Sequence, residues 1–125
     1  MGLMNTRNTE IGAVDELVPS RYALQVGDID VMVISDGVLP ITASTLATNA
    51  EPDDLRAWLD DNFLPREVLD WPLNVAVVRS GGKTILIDSG LGKEFPDFAR
   101  VGPLAMRLIA AGIAPSTVTD VVLTH

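Results

Sequence analysis

Apolar residues alternate along two neighbouring segments near the start of the chain, which is the pattern of half-buried strands. The first segment covers residues 22–26 and the second covers residues 29–35, in which Ile29, Val31 and Val33 alternate; Gly27 and Asp28 lie between the segments. Glycine reaches the positive φ that a two-residue turn requires, so the sequence predicts a β-hairpin here. The pair Asp36-Gly37 is expected to end the second strand, and residues 38–51 are expected to form a loop.

A second hairpin is predicted further along the chain. Residues 73–78 and 83–87 are apolar runs of strand length, and the turn between them contains Gly81 and Gly82. The glycine-rich residues 88–92 leave this hairpin as a tight loop. The last apolar run, residues 120–124, predicts a short strand with His125 at its carboxyl end.

A first amphipathic helix is predicted from Pro52 to about Phe63. Proline suits the first helical position, where its missing N–H has no partner to lose. Leu55, Trp58, Leu59 and Phe63 then recur at helical intervals.

A second helix is predicted over residues 103–111, with Gly112 just after its end. This helix connects the strand 83–87 to the strand 120–124, so the two strands should lie parallel in one sheet, joined by a right-handed crossover. The core is expected to combine apolar residues of the strands with one face of this helix. These residues are Val75, Val77, Ile85, Ile87, Val121, Leu123, Leu104, Leu108 and Ile109.

Composition limits the classes of protein to be considered. A length of 125 residues makes one domain or part of a larger one. Residues 1–20 have no periodicity and are predicted to be a mobile N-terminal arm ahead of a domain over residues 21–125. The chain begins without a secretory signal pattern and has no apolar run of about 18 residues, which predicts a cytoplasmic protein that does not span a membrane.

The charge balance bears on the expected partners. Nine Lys and Arg residues stand against 17 Asp and Glu residues, for a formal net charge of -8. An acidic surface repels phosphate backbones and anionic lipids, so nucleic acid and membrane surfaces are not expected as partners. The chain has no cysteine, which excludes thiolate metal sites and cysteine nucleophiles within it.

Two polar residues stand at the carboxyl ends of predicted parallel strands, where open α/β sheets place ligands. Asp88 follows the strand 83–87, and His125, the single histidine, follows the strand 120–124. Imidazole is a zinc ligand, and a carboxylate either binds metal or orients a ligand through hydrogen bonds. Two simpler interpretations stay open: an Asx turn at Asp88 and an exposed terminal histidine at position 125.

The order of these motifs resembles the first half of the metallo-β-lactamase-fold hydrolases. In that superfamily, a strand ending Asp-Ser/Thr-Gly is followed by a helix and by a strand ending Thr-His, which opens the metal motif His-x-His-x-Asp-His. The corresponding residues here are Asp88-Ser89-Gly90 and Thr124-His125. The segment 27–40 further resembles methyl parathion hydrolase and related quorum-quenching lactonases.

The resemblance implies an α/β fold, the N-terminal half of an αββα sandwich with a mixed sheet and flanking helices. It implies that His125 ligates a metal and that Asp88 and Gly90 support the site without binding the metal. It also implies two zinc ions in the full-length protein, with the other ligands beyond His125. The chain by itself would then contain no catalytic residue and would be inactive.

The implied activity is hydrolysis of a lactone, ester or phosphotriester by a zinc-bound hydroxide, with hydrolytic dehalogenation also open. The expected partners are a small-molecule substrate and the C-terminal half of the same protein, and a homodimer is left open. Residues 38–72, with Trp58, Phe63 and Trp71, are expected to flank the cleft and set specificity. The alternative is a binding or regulatory domain of the same fold without catalysis.

Overall fold

In the computed structural model, which describes residues 19–125, five strands lie in one sheet in the order of the chain. The first four are antiparallel neighbours, and the fifth pairs parallel with the fourth. This confirms the mixed α/β sheet and both hairpins. The predicted N-terminal arm lies almost wholly outside the described residues. The strands are β1 (Arg21–Val26), β2 (Ile29–Thr42), β3 (Val68–Ser80), β4 (Lys83–Ile87) and β5 (Asp120–Val122).

Three helices and one short 3₁₀ turn connect the strands: α1 (Ala43–Leu46), α2 (Pro52–Asp61), α3 (Leu104–Ala110) and the turn Pro115–Thr117. The start of α2 at Pro52 and the position of α3 are as predicted. Asp53 and Asp54 lie in the first turn of α2, where carboxylates are favourable to the helix dipole. Between residues 19 and 125, no helix is long and apolar enough to cross a membrane.

The sequence predicts that the second strand ends at Asp36 and Gly37, and this prediction is wrong. Instead, β2 runs on to Thr42, and its pairing with β3 shifts register between Ser35 and Val38. Such a β-bulge absorbs extra residues while the ladder continues on both sides. Gly37 makes the bulge possible because it has a φ of 96°. Residues 38–42 of the predicted loop 38–51 are therefore strand, and β3 begins earlier than predicted to pair with them.

The core lies where α3 packs on one face of the sheet. The prediction was correct for Val75, Val77, Leu104 and Leu108, but Ile109, Val121 and Leu123 are exposed. Side chains alternate between the faces of a strand, so Ile85 and Ile87 point away from α3 and Leu86 takes the buried position. Val121 pairs with Leu86, but β5 is an edge strand of this sheet, so no further strand of the described residues lies beside Val121. The buried cluster is Ile34, Val75, Val77, Leu86, Leu104, Leu108 and Ile113.

The bulge makes a testable prediction about two glycines with positive φ. A Cβ built at Gly37 would lie 1.8 Å from the main-chain oxygen of Arg100, whereas one at Gly27 would meet nothing within 4 Å. We expect Gly27→Ala to lower the free energy of unfolding by about 1–2 kcal/mol, because of the left-handed backbone alone. Gly37→Ala should lose about a further 1–3 kcal/mol through overpacking. Urea unfolding of the complete protein measures both, and equal losses would contradict the bulge geometry.

Candidate metal centre

The carboxyl ends of β4 and β5 meet at one edge of the sheet, and each carries one of the predicted site residues. Ile87 pairs with Val122, and the N–H of Asp88 donates to the main-chain oxygen of Val122 over 2.7 Å. His125 follows β5 at the same edge. The predicted juxtaposition of Asp88 and His125 is therefore confirmed as a matter of topology.

Asp88 holds the end of the neighbouring strand with both oxygens of its carboxylate. One oxygen accepts the main-chain N–H of Thr124 at 2.9 Å, and the other accepts the Thr124 hydroxyl at 2.7 Å. The backbone of Asp88 is left-handed, with a φ of 64°, which is uncommon for a residue other than glycine. The side chain thus reaches across to β5 rather than capping its own turn as an Asx motif would.

Thr124 relays this contact to His125. Its hydroxyl lies 2.9 Å from Nδ1 of His125 and has a single proton, which it donates to Asp88. A carboxylate only accepts, so the hydroxyl oxygen must accept from an Nδ1–H of the imidazole. In this tautomer Nε2 keeps its lone pair. Nε2 is therefore the nitrogen available to a metal ion, while Nδ1 is held by a hydrogen bond. Histidines that bind metals usually have this arrangement.

The same contacts act on the charge of Asp88. The main-chain N–H of Thr124 lowers the pKa of Asp88 most, and the Thr124 hydroxyl lowers it further. Partial desolvation opposes the shift, and the nearby imidazole of His125 adds a smaller lowering effect on this pKa. Asp88 is therefore a carboxylate at neutral pH, which favours a cation in its neighbourhood.

A crevice of about 350 Å³ opens at this edge of the sheet. All three residues predicted for the site contribute to its wall. The lining residues are Trp71, Pro72, Leu73, Asn74, Val75, Asp88, Ser89, Gly90, Leu91, Leu123 and His125.

The donors at this edge fit a zinc ion as one part of a ligand set. The imidazole of His125 is a suitable ligand, and zinc sites in proteins take at least three protein ligands. Within the part of the chain that the structure describes, no three His, Asp or Glu side chains converge so that they could hold a metal ion. Among the described residues, this edge therefore offers one imidazole, that of His125, and the hydrogen bonds that hold it.

One buried residue near the site was missed by the sequence analysis. Asp36 is 0% exposed, and its carboxylate accepts the main-chain N–H groups of Leu91 at 2.7 Å and Leu104 at 3.0 Å. Gly90 passes directly over it, because a Cβ built there would lie 2.5 Å from Asp36 Oδ2. The sequence feature that could have identified Asp36 is a charged residue directly after an apolar run. The same feature marks the end of a strand, so it did not indicate burial.

A larger apolar cleft of about 840 Å³ adjoins the crevice. Trp71 and Pro72 line both spaces, so they form the wall between them. Trp58 lines the apolar cleft as well, whereas Phe63 is 96% exposed and lies outside it. The cleft is lined by Ala43, Leu46, Ala47, Leu55, Trp58, Leu59, Leu64, Pro65, Val68, Leu69, Asp70, Trp71 and Pro72.

Comparison with known proteins relates part of the chain to a known family. The model of the metallo-beta-lactamase superfamily matches residues 68–125, from the start of β3 through the candidate site. The structure also matches AidC, a dizinc quorum-quenching lactonase solved with the product N-hexanoyl-L-homoserine, with 26% identity and a TM-score of 0.77. Residues 68–125 therefore match the metallo-β-lactamase superfamily, and the whole chain has the fold of a part of these proteins. The match covers 85% of this chain and 36% of AidC.

Two further solved structures share the fold. The hydrolase AbOPH of the beta lactamase superfamily is 24% identical, with a TM-score of 0.73 over 86% of this chain and 36% of that one. A probable metal-dependent hydrolase from Staphylococcus aureus is 17% identical, with a TM-score of 0.65 over 82% and 39% of the two chains. The metallo-β-lactamase-fold chain thus spans little more than a third of these structures. No curated protein gives a significant match.

The hydrogen bonds that join Asp88, Thr124 and His125, here called the relay, lead to a prediction about the pKa of Asp88. In Thr124→Val the hydroxyl donor is lost while the main-chain N–H stays, so we expect the pKa of Asp88 to rise without reaching the usual carboxyl range. Carboxyl ¹³C NMR titration of the metal-free complete protein measures this pKa. Thr117→Val is the control, because Thr117 donates to Ala114 in its own turn. An unchanged Asp88 pKa in Thr124→Val would contradict the relay.

The sign of the associated stability follows from linkage. A carboxyl whose folded pKa is lowered adds stability above its unfolded pKa, and this contribution is lost as pH falls through the folded value. The stability difference between the wild-type protein and Asp88→Asn should therefore shrink as the pH falls below about 4.

Proposed function

We propose that this chain is the N-terminal part of a zinc-dependent hydrolase that cleaves a lactone, ester or phosphotriester. The observation that carries the proposal is the hydrogen-bonded series from Asp88 through Thr124 to His125, which lies within the segment that matches the metallo-β-lactamase superfamily. The alternative, a binding domain without catalysis, does not require an imidazole held with Nε2 available. Hydrolytic dehalogenation would use the same centre.

Zinc, when bound, lowers the pKa of water toward about 7 and polarises the carbonyl or phosphoryl oxygen of a substrate. The residues of this chain prepare one side of such a centre. His125 offers Nε2, Thr124 fixes the imidazole through Nδ1, and Asp88 adds a negative charge that favours cations. We propose that the remaining ligands come from the rest of the same protein and that two zinc ions are held.

We further propose that the apolar cleft receives the apolar part of the substrate. It shares Trp71 and Pro72 with the crevice that contains His125, and this neighbourhood supports a substrate that contacts both spaces. Its volume of about 840 Å³ lies within the usual range of small-molecule sites. The product solved with AidC has a polar homoserine group joined to an acyl chain, which is the chemistry that such a pair of spaces would accommodate.

The proposed metal role of His125 is tested by substitution in the complete protein. We expect His125→Ala to lose most hydrolysis of a lactone and of an aryl phosphotriester, together with zinc. Asp88→Ala should lose about 10–100-fold in metal affinity or rate, as is typical for partners of metal ligands. Asp88→Asn should lose less if hydrogen bonding matters more than charge. Zinc analysis and steady-state kinetics provide the measurements.

The outcomes separate the two interpretations of the chain. A His125→Ala protein with normal zinc and normal turnover would end the hydrolase proposal for this residue. A folded wild-type protein that retains no zinc and hydrolyses neither substrate would instead support the binding domain. Asp120→Asn is a suitable control, because Asp120 pairs with Lys83 at 3.7 Å at the opposite end of β5.

The proposed substrate cleft is tested with acyl lactones of different chain lengths. Trp58→Ala should raise KM about tenfold for a long-chain lactone and change KM little for a short-chain one, because only the long chain reaches the cleft. Phe63→Ala is the matched control, since its ring is exposed outside the cleft. Equal effects of Trp58→Ala on both substrates would contradict the assignment.

A further inference from the structure

Asp36 is a buried carboxylate that holds one segment of the chain at three points. Its side chain accepts the N–H of Leu91 and that of Leu104, the first residue of α3. Its main-chain oxygen accepts the N–H of Gly102 over 2.9 Å. One residue of β2 therefore fixes both ends of the segment 91–104, which follows the candidate site directly.

Burying a polar side chain costs free energy unless its polar atoms are hydrogen-bonded. Both oxygens of Asp36 meet this condition with main-chain donors rather than with flexible side chains. The β-bulge supports the arrangement, since Val38 donates to the main-chain oxygen of Arg100 over 3.1 Å immediately after it. Main-chain groups therefore hold both oxygens of the Asp36 side chain in place.

Few residues separate the Asp36 contacts from the candidate metal centre. Leu91 closely follows Asp88, and the intervening Gly90 rests against the carboxylate of Asp36. Asp88 lies between the end of β4 and this fixed point, with its backbone in the left-handed region. The Asp88 carboxylate in turn holds Thr124, whose hydroxyl contacts His125.

Building on the proposed function, we propose that Asp36 is a positioning residue of the metal centre. It fixes the loop from Asp88 to Leu91, and through Asp88 and Thr124 it sets the orientation and tautomer of the His125 imidazole before any metal binds. Asp36 itself touches neither metal nor substrate in this role.

The first test is Asp36→Asn in the complete protein. The amide keeps the size of the side chain and one acceptor oxygen, but its NH₂ group faces a main-chain N–H. We expect zinc affinity, measured by competition with a chelator, to fall about 10–100-fold while the circular dichroism spectrum is unchanged. In zinc-free protein, ¹⁵N NMR should show a changed Thr124 amide and loss of the single His125 tautomer. Asp120→Asn should change neither.

A second pair of variants leaves the Asp36 carboxylate in place. Gly90→Ala would bring a Cβ to 2.5 Å from Asp36 Oδ2, whereas a Cβ at Gly92 would meet nothing within 4 Å. The two glycines have similar φ angles, 74° and 70°, so the backbone cost of alanine is matched. We expect Gly90→Ala to lower zinc affinity and to abolish the single tautomer of His125, whereas Gly92→Ala should keep both. This pair of variants tests the proposal even if Asp36→Asn does not fold.

The results distinguish this proposal from the function on which it rests. A wild-type protein without zinc affinity defeats the proposed function, yet the tautomer of His125 still tests the role of Asp36. Folded Asp36→Asn with unchanged zinc affinity and an unchanged His125 ring would overturn the positioning role. Equal effects of Gly90→Ala and Gly92→Ala would do so as well.

Discussion

The bulge in β2 is the constraint on which the arrangement at the site depends. A regular strand would have alternated through residues 36 and 37 and left no room for a loop to cross it. With Gly37 at a φ of 96°, the backbone lets Arg100 approach closely, and Gly102 then donates to the main chain of Asp36. The segment between β4 and α3 can therefore lie against the sheet with its polar groups satisfied.

Two carboxylates then perform the same physical task at different depths. Asp36 is fully buried and Asp88 is half-buried, and each accepts a pair of donors from a segment distant in sequence. A carboxylate suits this task because it accepts at two oxygens and bonds more strongly than a neutral group. The deeper one fixes the loop, and the shallower one fixes the strand end that carries His125.

The elements that were predicted correctly depend on local signals. Gly27 and the Gly81-Gly82 pair mark turns, and Pro52 marks a helix start, so the sequence alone locates them. The bulge was missed because Asp-Gly within a strand is the same local pattern as a strand end. The exposure of Val121 and Leu123 was missed because periodicity indicates which residues are apolar but not what covers them. The position of Asp88 and His125 at one edge of the sheet was predictable, because the crossover connection makes their strands parallel.

The same irregularity also links the candidate metal centre to the apolar cleft. Immediately after the bulge, Val38 and Leu39 pair with Pro72 and Trp71, the two residues that separate the crevice from the cleft. The register shift thus sets the position of that wall as well as the depth of Asp36. A change in the bulge would displace the loop that supports His125 and the wall that borders the proposed substrate site together. The proposed metal centre and the proposed substrate cleft therefore share one element, and substitutions near Gly37 are expected to act on both.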